Sequence, residues 1–281
     1  MDDLVTFITE PFIFTFMQQA FVIVILVAIP TALLSCFLVL KGWSLMGDAV
    51  SHSVLPGVVI AYVIGFPYAI GAFVAGMICA MVTGFLSRNS RLKEDTVMGI
   101  VFSSMFALGL VMLTKIESDV HLDHILFGDV LGLNWQDVLE TGIITLVVAA
   151  SIAIKGRDLI VFVFDHQHAK VIGLPVKGLH YGLLALLSLT IVGALKAVGM
   201  ILVIAMLIAP GAIAHLMTQR FELMMAVAVS VSLSCSIAGV YLSFFINSAP
   251  APTIVMLLSI VFIATFSYTS YRSKQITASV N

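Results

Sequence analysis

The chain has 281 residues, of which 61% are hydrophobic and only 10% charged, with a formal net charge of −2 and a mean hydropathy of +1.16. A water-soluble domain carries about 25% charged residues, so this composition excludes a protein that faces water on all sides. It shows no basic stripe or aromatic platform, so no nucleic-acid partner is expected. Long continuous apolar runs, rather than alternating segments of about 10 residues, point to an all-α polytopic membrane protein and not to a barrel.

The acidic start "MDDLVTFITE" lacks the basic region of a cleavable signal, so the first helix is expected to stay as an anchor. A spanning helix needs about 20 mostly apolar residues. Runs of that kind lie near Phe16–Leu40, Leu45–Gly65, Tyr68–Leu86, Val97–Leu113 and Val138–Ile154. Four more follow near Leu179–Ala194, Val198–Met217, Leu223–Ile246 and Thr253–Tyr271. About nine transmembrane helices are therefore expected, with eight as the alternative count. Placing the N-terminus outside and the C-terminus inside puts all of the 13 Lys and Arg residues except Lys115 and Lys196 on the cytoplasmic side, as the positive-inside rule requires. Two connections are longer than turns. The outer one, Lys115–Asp137, predicts a short helix at the membrane surface, and the inner one, Lys155–Lys177, contains "VFDHQHAKVIGLPV".

The second span carries the chemistry. Its purely apolar part, Val54–Gly65, has 12 residues, about 18 Å of helix, too short for a core of about 30 Å. Extending it to Leu45 makes it long enough only by taking Asp48 and His52 of "GDAVSHSVLPG" into the membrane. An ionised side chain there costs on the order of 3 kcal/mol, and the i, i+4 spacing puts both groups on one helix face. Pro56 has no N–H to give the carbonyl of His52, which leaves that oxygen as a further donor. Carboxylate, imidazole and carbonyl on one face suit Mn²⁺, Fe²⁺ or Zn²⁺. A proton relay and a structural Asp–His pair are the other readings of the same residues.

"GDAVSHSVLPG" resembles the second-helix signature of the membrane permeases of metal-importing ABC transporters, which serve zinc, manganese and iron. "HILFGDVLGL" (His124–Leu133), "FDHQHAKVIGLPV" (Phe164–Val176) and "LKAVGMILVIAMLIAPGAIAHLM" (Leu195–Met217) are similar to further segments of that family. The resemblance implies one transmembrane permease domain over 1–281 and a cytoplasmic segment at 155–178 that couples to an ATPase through Asp165, Ala169 and Gly173. Ala169 and Gly173, four apart, would let that helix approach its partner closely. It assigns Asp48 and His52 to metal coordination in the transport path. The implied partners are a cytoplasmic ATP-binding subunit, an external metal-binding lipoprotein, and a second permease copy or paralogue, in a bacterial cytoplasmic (inner) membrane. The "LKAVG…LIAPGAIA" wording resembles the manganese/iron branch, since the zinc branch more often has glutamine where Lys196 stands and often carries a His-rich loop.

No G-x-x-x-x-G-K-[ST] occurs in the chain, so ATP hydrolysis is expected on a separate subunit and the chain itself is not expected to be an enzyme. No permanently bound cofactor is expected; the metal is cargo. His121, Asp123 and His124 form an outer "HLDH" cluster that is a weak candidate for receiving metal, and His215 is a weak candidate for its exit. His166 and His168 flank the coupling segment and are expected to face water. Cys36, Cys79 and Cys235 form no disulfide framework or CxxC pair, and the fourteen methionines are scattered, as core packing requires. The expected function is thus the permease of an ATP-driven divalent-metal importer, with manganese or iron as cargo. A zinc permease of the same family, and a proton-coupled secondary transporter that needs no ATPase, are the alternatives.

Overall fold

The structure, a computed structural model, describes residues 10–43, 45–115 and 134–280, together with Gly128, Val130 and Gly132. Among the described residues every regular element is a helix: α1 Thr15–Lys41, α2 Met46–Ser53, α3 Leu55–Ile64, α4 Tyr68–Asn89, α5 Glu94–Lys115, α6 Trp135–Phe164, α7 His166–Val171, α8 Val176–Met217, α9 Phe221–Ile246 and α10 Pro250–Val280. Local chemistry sets the ends. Gly42, at φ 72°, closes α1 by giving its N–H to the carbonyls of Leu38 and Val39, and Asn247 ends α9 in the same left-handed region. Asn134 and Asp137 form a reciprocal capping box at the start of α6.

Eight helical stretches are long and apolar enough to cross a membrane, counting α2 and α3 as one. One of them, α8, has 42 residues and would measure about 63 Å if straight, twice the hydrocarbon thickness. It is not straight. Gly199 takes φ 74° and ψ 169°, a conformation open to glycine and strained for other residues. Both ends of α8 return to the end of α6: the His180 ring lies 6.3 Å from Phe162, and Phe221, just beyond the other end, lies 6.4 Å from Phe164. The element is a hairpin, and its two arms match the sixth and seventh spans read from the sequence. Counted this way, the described residues hold nine helical arms of membrane length.

Helix α1 is the central post, packed against α8, α9 and α6, with Leu34, Phe37 and Leu38 fully buried. Pro210 interrupts the hydrogen-bond ladder of α8 beside it. The next amide, of Gly211, donates to the hydroxyl of Ser35 on α1. A Cβ at position 211 would stand 2.6 Å from the Ser35 carbonyl oxygen, so only glycine allows this contact. Helices α3 and α4 cross at Gly57 and Gly71, where the backbones themselves touch; Ala61 and Ala75, one turn further along, extend the small-residue seam.

One sequence boundary is corrected. The stretch expected as an inner connection from Lys155 begins as helix: α6 runs on to Phe164. At 30 residues, about 45 Å, α6 outlasts the apolar layer, so its last turns tolerate the Lys155–Asp158 ion pair at 3.5 Å.

Candidate functional site

Asp48 and His52 sit on α2, and the Asp48 Oδ1 lies 3.3 Å from His52 Nε2. Every other residue of α2 is buried, while these two side chains keep 31% and 27% of their surface open. They form the single open stripe of that helix. The His52 ring stacks at 5.8 Å on Phe102 and meets Phe106 edge-on at 5.1 Å, both on α5. Its Nδ1 is buried without a hydrogen-bond partner, while Nε2 faces the carboxylate. The neighbouring hydroxyls are already used within the helix: Ser51 donates to Gly47 and Ser53 to Val50.

Val54 separates α2 from α3 yet keeps helical dihedrals, φ −66° and ψ −29°. The two pieces are therefore one rod whose ladder is broken by Pro56, which leaves the His52 carbonyl without its usual donor. The rod is held by the Gly57–Gly71 crossing on one side and, on another, by Gly109 of α5, where a Cβ would come within 2.9 Å of Leu55 and Pro56. Among the described residues no group of three or more His, Cys, Asp and Glu side chains comes together. The chain alone thus presents one carboxylate, one imidazole and one carbonyl. That is fewer donors than a closed metal cage uses, and the remaining positions are open to water or to groups from outside the chain.

His121, Asp123 and His124 lie outside the described residues. His215 is exposed in the last turn of α8. Asp165 caps α7, its Oδ1 accepting the N–H groups of Gln167 at 2.8 Å and His168 at 2.9 Å. These bonds, the one from His168 foremost, hold its carboxyl below the usual carboxylate range. Ala169 differs from the docking-face expectation: it is 0% exposed, because its methyl packs inward against the bundle. Gly173 takes φ 81° with open space around it and ends α7, so its role is conformational. The outward apolar surface of this segment is Val171 and Ile172, 84% and 51% exposed, neither of which was singled out by sequence. The sequence reading also missed the ion pair between Lys196 and Asp137, which ties the α8 bend to the start of α6. Residues 59 apart give no local signal for it. The glycine crossing did have a signal, the Gly57-x-x-x-Ala61 and Gly71-x-x-x-Ala75 spacings. Cys36, Cys79 and Cys235 are buried free thiols.

Among the described residues, a bundle of membrane-length helices carrying a half-open Asp48–His52 stripe has the features of a membrane transport protein. The chain belongs to the ABC 3 transport family, whose model matches residues 13–269. It is 52% identical over 268 residues to the "Chelated iron transport system membrane protein YfeD" of Yersinia pestis, covering 95% of this chain and 90% of that one. It is 46% identical to the "Manganese transport system membrane protein MntB" of a Synechocystis strain, covering 91% and 84%. Among solved structures, PsaBC from Streptococcus pneumoniae in complex with Fab matches with a TM-score of 0.85 at 36% identity, over 94% of this chain and 95% of that one. An inward-facing conformation of a putative metal-chelate type ABC transporter has the same fold, with a TM-score of 0.69 at 16% identity, over 91% and 86%.

Proposed function

We propose that this chain is the membrane permease subunit of an ATP-driven importer of divalent metal ions, with manganese or iron as cargo. The observation that carries the reading is the open Asp48–His52 stripe on an otherwise buried helix. Relatives named for iron and manganese transport support the choice of cargo. Membership of an ABC family leaves a proton-coupled transporter without support.

The donor set explains how such a site works. Asp48 supplies charge, His52 supplies a borderline nitrogen, and the His52 carbonyl supplies a neutral oxygen. A second permease, the same chain or a paralogue, presenting its own stripe would complete the shell. An ion held by so few donors per chain leaves readily, as conduction requires. Phe102 and Phe106 wall the imidazole and limit the water that reaches it. In this reading the end of the bundle bearing Lys41, Lys170 and Lys177 is cytoplasmic, the N-terminus is outside, and the membrane is the bacterial cytoplasmic membrane. ATP is hydrolysed on a separate subunit that docks against Val171 and Ile172 of the 155–178 segment, while an external lipoprotein delivers the ion. Asp165 shapes that docking segment, Ala169 anchors it inward and Gly173 ends it.

The test is uptake of radiolabelled manganese and iron by the complex reconstituted with its ATPase and lipoprotein. Asp48→Ala is expected to abolish uptake while the complex still assembles, because removing a carboxylate from the membrane relieves a cost of about 3 kcal/mol. Uptake at the wild-type rate would refute the site.

A further inference from the structure

At the end of the bundle that carries the α8 bend, a cavity of about 280 Å³ opens between α3, α4, α6 and the first arm of α8. Its two ends differ in chemistry. The mouth holds Tyr68, Glu140 and Lys196, all exposed. The shaft below is apolar, walled by Val58, Ala72, Ile144, Val192 and Leu195. Its one hydroxyl, of Thr141, is turned to the carbonyl of Gly193 at 3.5 Å. Val58 and Ile144 stand about two turns in from the ends of α3 and α6, so the shaft runs along the helices rather than across them.

The charges at the mouth do not cancel. Lys196 pairs with Asp137, a partly buried carboxylate that also accepts the amide of Asn134 at 3.1 Å. Glu140, one turn further along α6, has no ion-pair or hydrogen-bond partner among the described residues. One surplus carboxylate therefore stands at the rim of an apolar shaft. Beside it, the Lys196 ammonium has three N–H donors and gives one to Asp137. A metal ion does not fit this mouth, since no three His, Cys, Asp or Glu side chains come together among the described residues.

We infer that this cavity holds a phosphatidylethanolamine molecule of the adjoining leaflet. Its primary ammonium meets Glu140, its phosphate takes the remaining donors of Lys196, and the upper part of one acyl chain follows the shaft. Level supports the lipid: Trp135 opens α6 and Tyr68 opens α4 at this end, 57% and 53% exposed, the aromatic arrangement found at headgroup height. Charge selects the headgroup. Phosphatidylglycerol would set a net negative charge beside an unpaired carboxylate, and the trimethylated ammonium of phosphatidylcholine has no N–H to donate. A lipid seated here ties α4, α6 and α8 together beside the bend. The inference uses neither the transported ion nor the ATPase, so it stands or falls apart from the proposed function.

The experiment is thermal unfolding of the purified full-length chain in uncharged detergent, titrated with short-chain phosphatidylethanolamine, phosphatidylcholine, phosphatidylglycerol or tail-less phosphoethanolamine. Phosphatidylethanolamine is expected to raise the melting temperature saturably, at concentrations about threefold below those of phosphatidylcholine, the margin of one exposed carboxylate–ammonium contact. Phosphatidylglycerol is expected to act most weakly. Glu140→Gln, at an exposed position, is expected to remove the margin without disturbing the core. Glu222→Gln, which removes an exposed carboxylate at the start of α9, is expected to leave it. Ala69 is exposed and lines the cavity, so Ala69→Leu fills space there and is expected to weaken all three lipids. The inference is overturned by a margin that persists in Glu140→Gln, by equal action of phosphatidylethanolamine and phosphatidylcholine on the wild type, or by no response to any lipid. Phosphoethanolamine acting as strongly as the lipid also overturns it, because the shaft would then take no part.

Discussion

Replacing Gly57 by alanine tests how the rod that carries Asp48 and His52 is held. The added Cβ would stand 2.1 Å from the carbonyl oxygen of Gly71 and 2.6 Å from the Cβ of Ala75. Ordinary contact begins at 3.4 Å, so α3 and α4 must part by more than an ångström. Neither contact is the far end of a flexible side chain that could swing away, and Gly71 and Ala61 meet the same limit from the opposite helix. Overpacking of this kind costs about 1–3 kcal/mol. For a chain of this size that lowers the melting temperature by about 3–10 °C. Gly99→Ala is the control, because a Cβ there meets nothing within 4 Å, and alanine in a helix interior is favoured over glycine by up to about 1 kcal/mol. Thermal unfolding of the two variants in one detergent is the assay. A Gly57→Ala protein that melts at or above the wild-type temperature would refute the backbone crossing.

Ala169→Asp places a carboxylate at a fully buried position and is expected to reduce the yield of folded chain, whereas Val171→Asp at an exposed one should leave yield unchanged and weaken ATPase docking; comparing size-exclusion profiles and co-purification separates the two. Asp165 has a lowered pKa because the folded chain hydrogen-bonds its ionised form. Its contribution is therefore complete above the ordinary carboxylate range and fades as pH falls through its lowered native value. The protection factors of the Gln167 and His168 amides, taken relative to intrinsic exchange at each pH, should fall over that window in the wild type but not in Asp165→Asn, which keeps a neutral acceptor; identical profiles would show that the cap is not the cause.

The polar stripe was legible because of a length argument: the apolar part of the second span is too short, and the missing turns contain Asp48 and His52. Nothing comparable marks the α8 bend. Its neighbourhood reads "KAVGMIL", apolar on both sides, and Gly199 is one of 20 glycines. Run lengths still gave two spans there, since 42 residues are too many for one pass. The end of α6 was misplaced at Ile154 because charge was taken as the end of helix. Lys155, Arg157 and Asp158 end the apolar layer, and the backbone ladder continues regardless. Ala169 was assigned to an outward face because small residues are expected at close contacts, yet the close contact it makes lies within its own chain. Which side of a six-residue helix is buried depends on α6 and α8, and no local pattern contains that information.

The α8 bend also bears on how the chain enters the membrane. With a single residue between its arms, there is no loop in which one arm could wait while the other inserts, so the pair must enter as a unit. Its tip carries Lys196, and in the proposed orientation, with the N-terminus outside, that ammonium has to cross the apolar layer during insertion. Asp137 belongs to α6, which is synthesised earlier, so the carboxylate is already on the far side when the tip arrives. Order of synthesis thus places the acceptor before the donor. The Lys196–Asp137 pair becomes a catch that keeps the finished hairpin from slipping back.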